Sequence, residues 1–341
     1  MHSINKETTS MNDQLSARSR RRLIAAAAAG VGFASVPGPR FALAQGQDSR
    51  PIRIIVSFAP GGSNDIVGRA IAQQLTDRLK RSVVVENRPG AGGTIGAALA
   101  ARAEPDGTTL LLASSTFTMN PAVMKLSYDP VKSFVPVAML GMGPSVIAVN
   151  VSLPVNNIRE FVDYTRKNPG KVNAGTSGAA SFQHFALELL KLRAGADLTL
   201  LHYKGGGPVL SDLAAGHIQM SLGSLIQMQN LVNAGKIKLI AVAGPQRVGI
   251  ISSVPTLKES GIDVDASNWW ALLAPTGTPE PVVAAIHEAC NASLNDPSMK
   301  ERFEKEGASP MPMSRADFAR LMAEETVRWA TVARETGIKV D

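Results

Sequence analysis

From residue 51 the chain alternates short apolar runs with longer stretches in which apolar residues recur every three or four positions. The pattern predicts strands near 52–57, 82–85 and 109–113, with helices near 64–80 and 93–103 between them. The scheme repeats in the middle, with strands near 146–150, 172–174, 198–202, 217–222 and 237–243 and helices near 157–168, 180–194, 207–215 and 225–234. The end differs: after WWALLAP (269–275) come helical patterns near 279–293, 297–306 and 314–336. Alternation of this kind implies βαβ units and parallel sheets. The late helices are surplus to the second group of strands, so they are expected to complete the first. This predicts two α/β lobes, one from residues 45–147 with 270–341 and the other from 148–269. The chain would cross between them near Ser145 to Val149 and again near Ser267 to Leu272.

Composition narrows the class. At about 100–200 residues per domain, 341 residues suit two domains. A hydrophobic content of 45% with 18% charged residues excludes wholesale disorder and a multi-span membrane protein. Residues 1–44 read as an export signal: SRRRLI, then AAAAAGVGFASV, then small residues at Ala42 and Ala44 that place a mature start at Gln45. The paired arginines fit either a twin-arginine signal or the basic leader of the general secretory route. This leader holds six basic and two acidic residues, so the +7 of the whole chain falls to +3 on its removal. With no basic run and no interleaved aromatics, that surplus argues against nucleic acid. The single cysteine cannot close an internal disulfide, and Cys290 within VVAAIHEACNASL reads as a core thiol.

Two strand-to-helix turns carry candidate chemistry. In open α/β sheets ligands bind beyond the carboxyl ends of strands, where loops lead into helix N-termini. FAPGGSND (58–65) has a proline and two glycines in the turn, Ser63 or Asn64 as N-cap, and Asp65 in the first helical turn. AGTSGAASFQHFALELL has a loop from Gly175 to Ala180 and a helix beginning near Ser181. Helix-start amides attract anions, and neither turn contains Lys, Arg or His. An anion here would be held by neutral dipoles.

Other motifs fall away. GAGGTIG (90–96) has Ile95 where a dinucleotide fingerprint counted from Gly90 needs glycine. GTSGA (175–179) has Ala179 in the last position of a nucleophile elbow, which leaves Ser177 better suited to binding than to attack. The five histidines show no metal spacing, so no metal and no cofactor is expected. His184 reads as a core or capping residue. Lys204 stands at a cleft rim or pairs on the surface. Of Trp269 and Trp270, whose side chains point to opposite faces of a strand, one belongs in the core and the other is free to wall the cleft.

The motifs PIRIIVSFAPGGSNDIVGR, VVVENRPGAGGTIGA, EPDGTTLLLAS, GTSGAASFQHFALELL, LHYKGGGPVLSDLAAGHIQM, VPTLKESG and WWALLAPTGTPEPVV, taken together, resemble the extracytoplasmic solute receptors of tripartite tricarboxylate transporters, the Bug-type periplasmic binding proteins. The resemblance covers almost all of the chain after the leader. It implies a two-lobed periplasmic-binding-protein-like α/β fold with a ligand cleft between the lobes. It further implies a monomeric, non-catalytic receptor that closes on a small carboxylate and delivers it to a membrane transporter. By the same resemblance the carboxylate is held through amides, hydroxyls and ordered waters, with Phe58, Ala59, Gly62, Ser63 and Asn64 on one side and Thr176, Ser177 and Ala180 on the other. Two positions depart from the family pattern, Gln219 where an acidic residue is common and His202 where proline usually precedes Tyr203. Both are expected to bear on the distal, ligand-discriminating half of the cleft. The alternatives are an exported hydrolase using Ser177 and a ligand-binding co-sensor for a membrane signalling protein.

Overall fold

The computed structural model describes residues 50–305, 307–338 and 340. The export signal expected at 1–44 lies outside the described residues. In chain order the first half comprises β1 (Ile52–Val56), α1 (Ser63–Leu79), β2 (Val83–Asn87), α2 (Thr94–Ala101), β3 (Thr109–Ser114), a short α3 (Thr116–Met119) and the long β4 (Phe134–Asn150). Then come α4 (Ile158–Lys167), β5 (Asn173–Thr176), α5 (Phe182–Ala194), β6 (Thr199–His202), α6 (Gly206–Ala215), β7 (Met220–Ser224), α7 (Leu225–Asn233) and β8 (Ile237–Ala243). The chain finishes with β9 (Ser267–Pro275), α8 (Glu280–Leu294), α9 (Pro297–Lys305), β10 (Ser309–Pro310) and α10 (Arg315–Thr336).

The strands run in the order β2-β1-β3-β9-β4-β7-β5-β6, with β8 and β10 also paired to β4. Parallel pairing joins β1 to β2 and β3, and β5 to β6 and β7. The expectation of parallel sheets holds at both ends and fails in the centre. There β9 runs antiparallel to β3 and β4, and β4 runs antiparallel to β7 and β8. The reason is topological: β4 and β9 carry the chain between the two strand groups, and no βαβ crossover separates them.

Strand β4 is longer than its apolar run at 146–150 suggests. Its first part, FVPVAMLGMGP, contains two prolines and two glycines, yet pairs with β9 from Phe134 to Pro144. Register shifts between Pro136 and Ala138 and between Met139 and Gly141 absorb the irregularity. Gly141 is small for a reason, because a Cβ there would lie 2.5 Å from the Phe303 ring of α9 and 2.8 Å from the Ser309 carbonyl oxygen.

Strand β3, TLLLAS, is apolar through its centre and buried along its whole length, as a strand covered on both faces must be. Trp269 and Trp270 are both buried and belong to separate cores on opposite faces of β9. Trp269 meets Phe318 of α10 edge-on at 6.0 Å. Cys290, on α8, is fully buried, which pushes its thiol up to about 12 and leaves no reactive thiolate at neutral pH. Near its C-terminal end α10 carries Trp329 into the core built around α5, where it meets Phe182 and Phe185 edge-on. Among the described residues no helix is long and apolar enough to cross a membrane.

Candidate functional site

The turn after β1 sets the geometry. Gly61 takes φ +84°, open to glycine at little cost, and Gly62 rather than Ser63 or Asn64 is the N-cap of α1. Glycine has no side chain, so this helix start lacks a side-chain cap. Asn64 is turned inward instead: its Oδ1 accepts from Trp270 Nε1 at 3.1 Å and its Nδ2 donates to Ser114 Oγ at 3.3 Å. Asp65 steadies the turn by accepting from the Gly61 N–H at 3.1 Å and from Asn87 Nδ2 at 3.0 Å. Burial by itself raises the Asp65 pKa, but the hydrogen bonds from Arg69, Gly61 and Asn87 outweigh it and hold the carboxyl below its ordinary value.

The missing cap comes from the far side. The Ser63 N–H donates to Gln227 Oε1, on α7, at 3.2 Å. Two further contacts close the same seam. The Ala59 N–H donates to the Lys204 carbonyl at 3.2 Å, and Gly205 to Gly207 lie against Ala59 to Gly62 so closely that a Cβ on Gly207 would stand 2.2 Å from the Pro60 oxygen.

The turn after β5 is built differently. Ser181 caps α5 by accepting from the His184 N–H at 3.3 Å, and the Phe182 N–H donates to Thr116 Oγ1 at 3.1 Å. Ser177 Oγ donates to Gln183 Oε1 at 2.6 Å. Thr176 is fully buried with Oγ1 2.7 Å from His202 Nδ1, and Ala180, at φ +57°, donates its N–H to His184 Nδ1 at 3.1 Å. That last bond requires a neutral His184 with Nδ1 unprotonated. Burial is the main cause that lowers the His184 pKa to about 4, helped by His202 and Lys191.

A pH dependence follows. His184 ordinarily titrates near 6.5 but near 4 in the fold, so the unfolded chain binds the proton more readily. The stability it contributes is complete above pH 6.5 and declines as the pH falls towards 4, at up to about 1.4 kcal/mol per pH unit. Urea unfolding at pH 7, 5.5 and 4.5 checks it: His184→Gln should lose stability less steeply than wild type over that range.

Between the turns lies a cavity of about 20 Å³, room for roughly one water-sized molecule. Phe58, Gly62, Ser63 and Asn64 line it from the first turn, and Ser177, Phe182 and Gln183 from the second. Ser114, Thr116, Gly206, Ser224, Gln227 and Asn268 complete the wall, and none of these residues is charged. Of the residues expected from sequence, Ala59, Thr176 and Ala180 stand behind the wall, engaged in the bonds just described. Neither tryptophan lines the cavity; Trp270 acts on it by fixing Asn64. Gln219 lies away from it, its Oε1 accepting from the Asn173 N–H at 2.9 Å at the start of β5. Gln227 and Asn268 were not singled out from sequence. The signal for Gln227 lies in SLGSLIQ (221–227), another strand-to-helix turn.

Two strand groups joined by crossing strands, with a polar cavity between their βα turns, make up the α/β fold of periplasmic binding proteins, which related solved structures share. The chain belongs to the tripartite tricarboxylate transporter family receptors, whose family profile matches residues 67–338. It is 33% identical over 296 residues to protein BugT of Bordetella pertussis, covering 86% of this chain and 91% of that one. It superposes on Rpa4515 of R. palustris, solved with adipate, with a TM-score of 0.83 at 31% identity, covering 86% of this chain and 99% of the other. For MatC of Rhodopseudomonas palustris with bound malate the TM-score is 0.79 at 30% identity, over 84% and 99% of the two chains.

Proposed function

We propose that this chain is a monomeric periplasmic receptor that captures a small carboxylate between two lobes, residues 45–147 with 270–341 and residues 148–269, with the end of α10 leaning on the second through Trp329. It then hands the ligand to the membrane subunits of a tripartite tricarboxylate-type transporter. The observation that carries this reading is the bond from the Ser63 N–H to Gln227 Oε1, in which the first amide of an uncapped helix takes an sp² oxygen from the opposite wall. A carboxylate oxygen presents the same acceptor with a charge added, and charge-assisted hydrogen bonds are about twice as strong as neutral ones. The ligand therefore displaces the carboxamide. Phe58, Gly62, Ser63, Asn64 and Ser177 surround the bound group, while Thr176 and Ala180 hold the second turn in shape and Ala59 ties the walls together. Family membership supports this reading, as do the adipate and malate in two relatives.

Catalysis has no part in it. The Ser177 hydroxyl donates to a carboxamide oxygen, which cannot take up its proton as a general base must. A thermal-shift screen of residues 45–341 against a panel of carboxylic acids tests the function. A ligand at 100 times its dissociation constant stabilises by about 2.7 kcal/mol. At least one acid should raise the melting temperature and be recovered unchanged. A flat panel, or turnover of an ester that Ser177→Ala abolishes, would contradict the proposal.

A further inference from the structure

Four carboxamides line the cavity, and three of them are committed. Asn64 is bonded through both its oxygen and its nitrogen, Gln183 Oε1 accepts from Ser177, and Gln227 Oε1 accepts from the Ser63 amide. Asn268 is the exception. It is 5% exposed, lines the cavity from the start of β9, and its Oδ1 has no hydrogen-bond partner among the described residues. Its backbone is fixed in the ladder opposite Gly143 of β4. A buried acceptor without a donor is costly, and native structures keep one only where something else satisfies it.

Three other orphaned atoms, Ser57 Oγ, Asn120 Oδ1 and Tyr128 Oη, share a neighbouring cavity behind Phe58. A buried water takes about three such partners, so these atoms call for no ligand. Asn268 differs because, among the described residues, its oxygen is the lone orphan facing the cavity between the two turns, where the neighbouring cavity gathers three such atoms around one water-sized space. With no charged residue on that wall, its complement is a neutral donor. An ammonium would lack a counter-charge there.

We propose that the ligand is a hydroxylated carboxylate whose hydroxyl donates to Asn268 Oδ1, making Asn268 the residue that selects hydroxy acids over their deoxy analogues. The inference rests on the carboxylate-receptor reading and deepens it. A site that accepts from a substrate hydroxyl rejects the analogue lacking it, because the acceptor is then left unpaired.

The test is calorimetric titration of wild type, Asn268→Leu and Asn268→Asp with three matched pairs: malate and succinate, 3-hydroxybutyrate and butyrate, citrate and tricarballylate. Adipate serves as the common reference. For at least one pair wild type should bind the hydroxylated member about tenfold more tightly, equivalent to about 1.4 kcal/mol. Asn268→Leu should bring that ratio below about threefold, under 0.7 kcal/mol. Asn268→Asp, which keeps the acceptor but adds a charge, should weaken both members and preserve the ratio. Equal affinities in wild type, or a preference that survives Asn268→Leu, would overturn the assignment. So would binding of adipate with none of the six, although the receptor reading would then stand. Binding of no carboxylate at all would overturn both.

Discussion

Gly207→Ala is expected to lower ligand affinity at least about a hundredfold, some 2.7 kcal/mol, by forcing the two turns apart. The added Cβ would sit 2.2 Å from the Pro60 carbonyl oxygen, a backbone atom that cannot step aside. Pro60 belongs to the turn before α1 and Gly207 to the first turn of α6, so the clash falls across the cleft. Within α6 the change is favourable, since alanine is the best helix former and glycine costs about 1 kcal/mol more. The penalty therefore falls on the contact between the two turns and not on α6 itself. Titration with any acid that binds wild type, paired with small-angle scattering, reads both consequences. The variant should bind weakly and be more extended than wild type. Wild-type affinity in Gly207→Ala would mean that the close approach of Gly207 to Pro60 is not part of the bound state.

Trp329→Ala is expected to cost about 3–5 kcal/mol of stability, the range for removing a large buried aromatic. Trp329 is fully buried, packs on Phe182 at 6.1 Å and Phe185 at 5.9 Å, and donates Nε1–H to Glu325 Oε2 at 2.7 Å. Phe182 also lines the cavity, so the last helix supports the second turn from behind. Urea unfolding monitored by circular dichroism measures the loss. Trp329→Phe keeps most of the volume and should retain more than half of the lost stability. A loss below about 1 kcal/mol for Trp329→Ala, the scale of an ordinary substitution, would show that the helix end contributes little.

Sequence pattern located the elements wherever hydrophobic period and burial agree. The helix expected at 64–80 is α1 at Ser63–Leu79, and the strand expected at 237–243 is β8 with the same bounds. It failed at Phe134–Pro144, where prolines and glycines that locally oppose a strand are held in one by β9 and packed under Phe303. The parallel reading of the sheet centre failed because pairing direction is set by connection topology rather than by local composition. At the site, the two glycine-rich turns were legible because turn chemistry is local. What joins them was not. Ser63 and Gln227 are 164 positions apart, and Asn64 and Trp270 are 206 apart. No periodicity reports a bond over such a separation. The cap was misplaced for a related reason: Ser63 and Asn64 are both good N-caps in isolation, but the fold spends the Asn64 side chain on Trp270 and Ser114 and takes its cap from Gln227.

The salt dependence of ligand affinity tests the central claim, that a carboxylate is held by neutral donors in a closed cavity with no charged lining residue. Short-range bonds in a site that excludes ions are screened little, whereas attraction by exposed cations weakens as the Debye length shrinks to about 8 Å at physiological ionic strength. Titration of the tightest-binding acid at low salt and at physiological salt should give dissociation constants within about threefold, under roughly 0.7 kcal/mol. A tenfold or greater loss of affinity would place the anchor on a surface cation such as Lys204 and contradict the account.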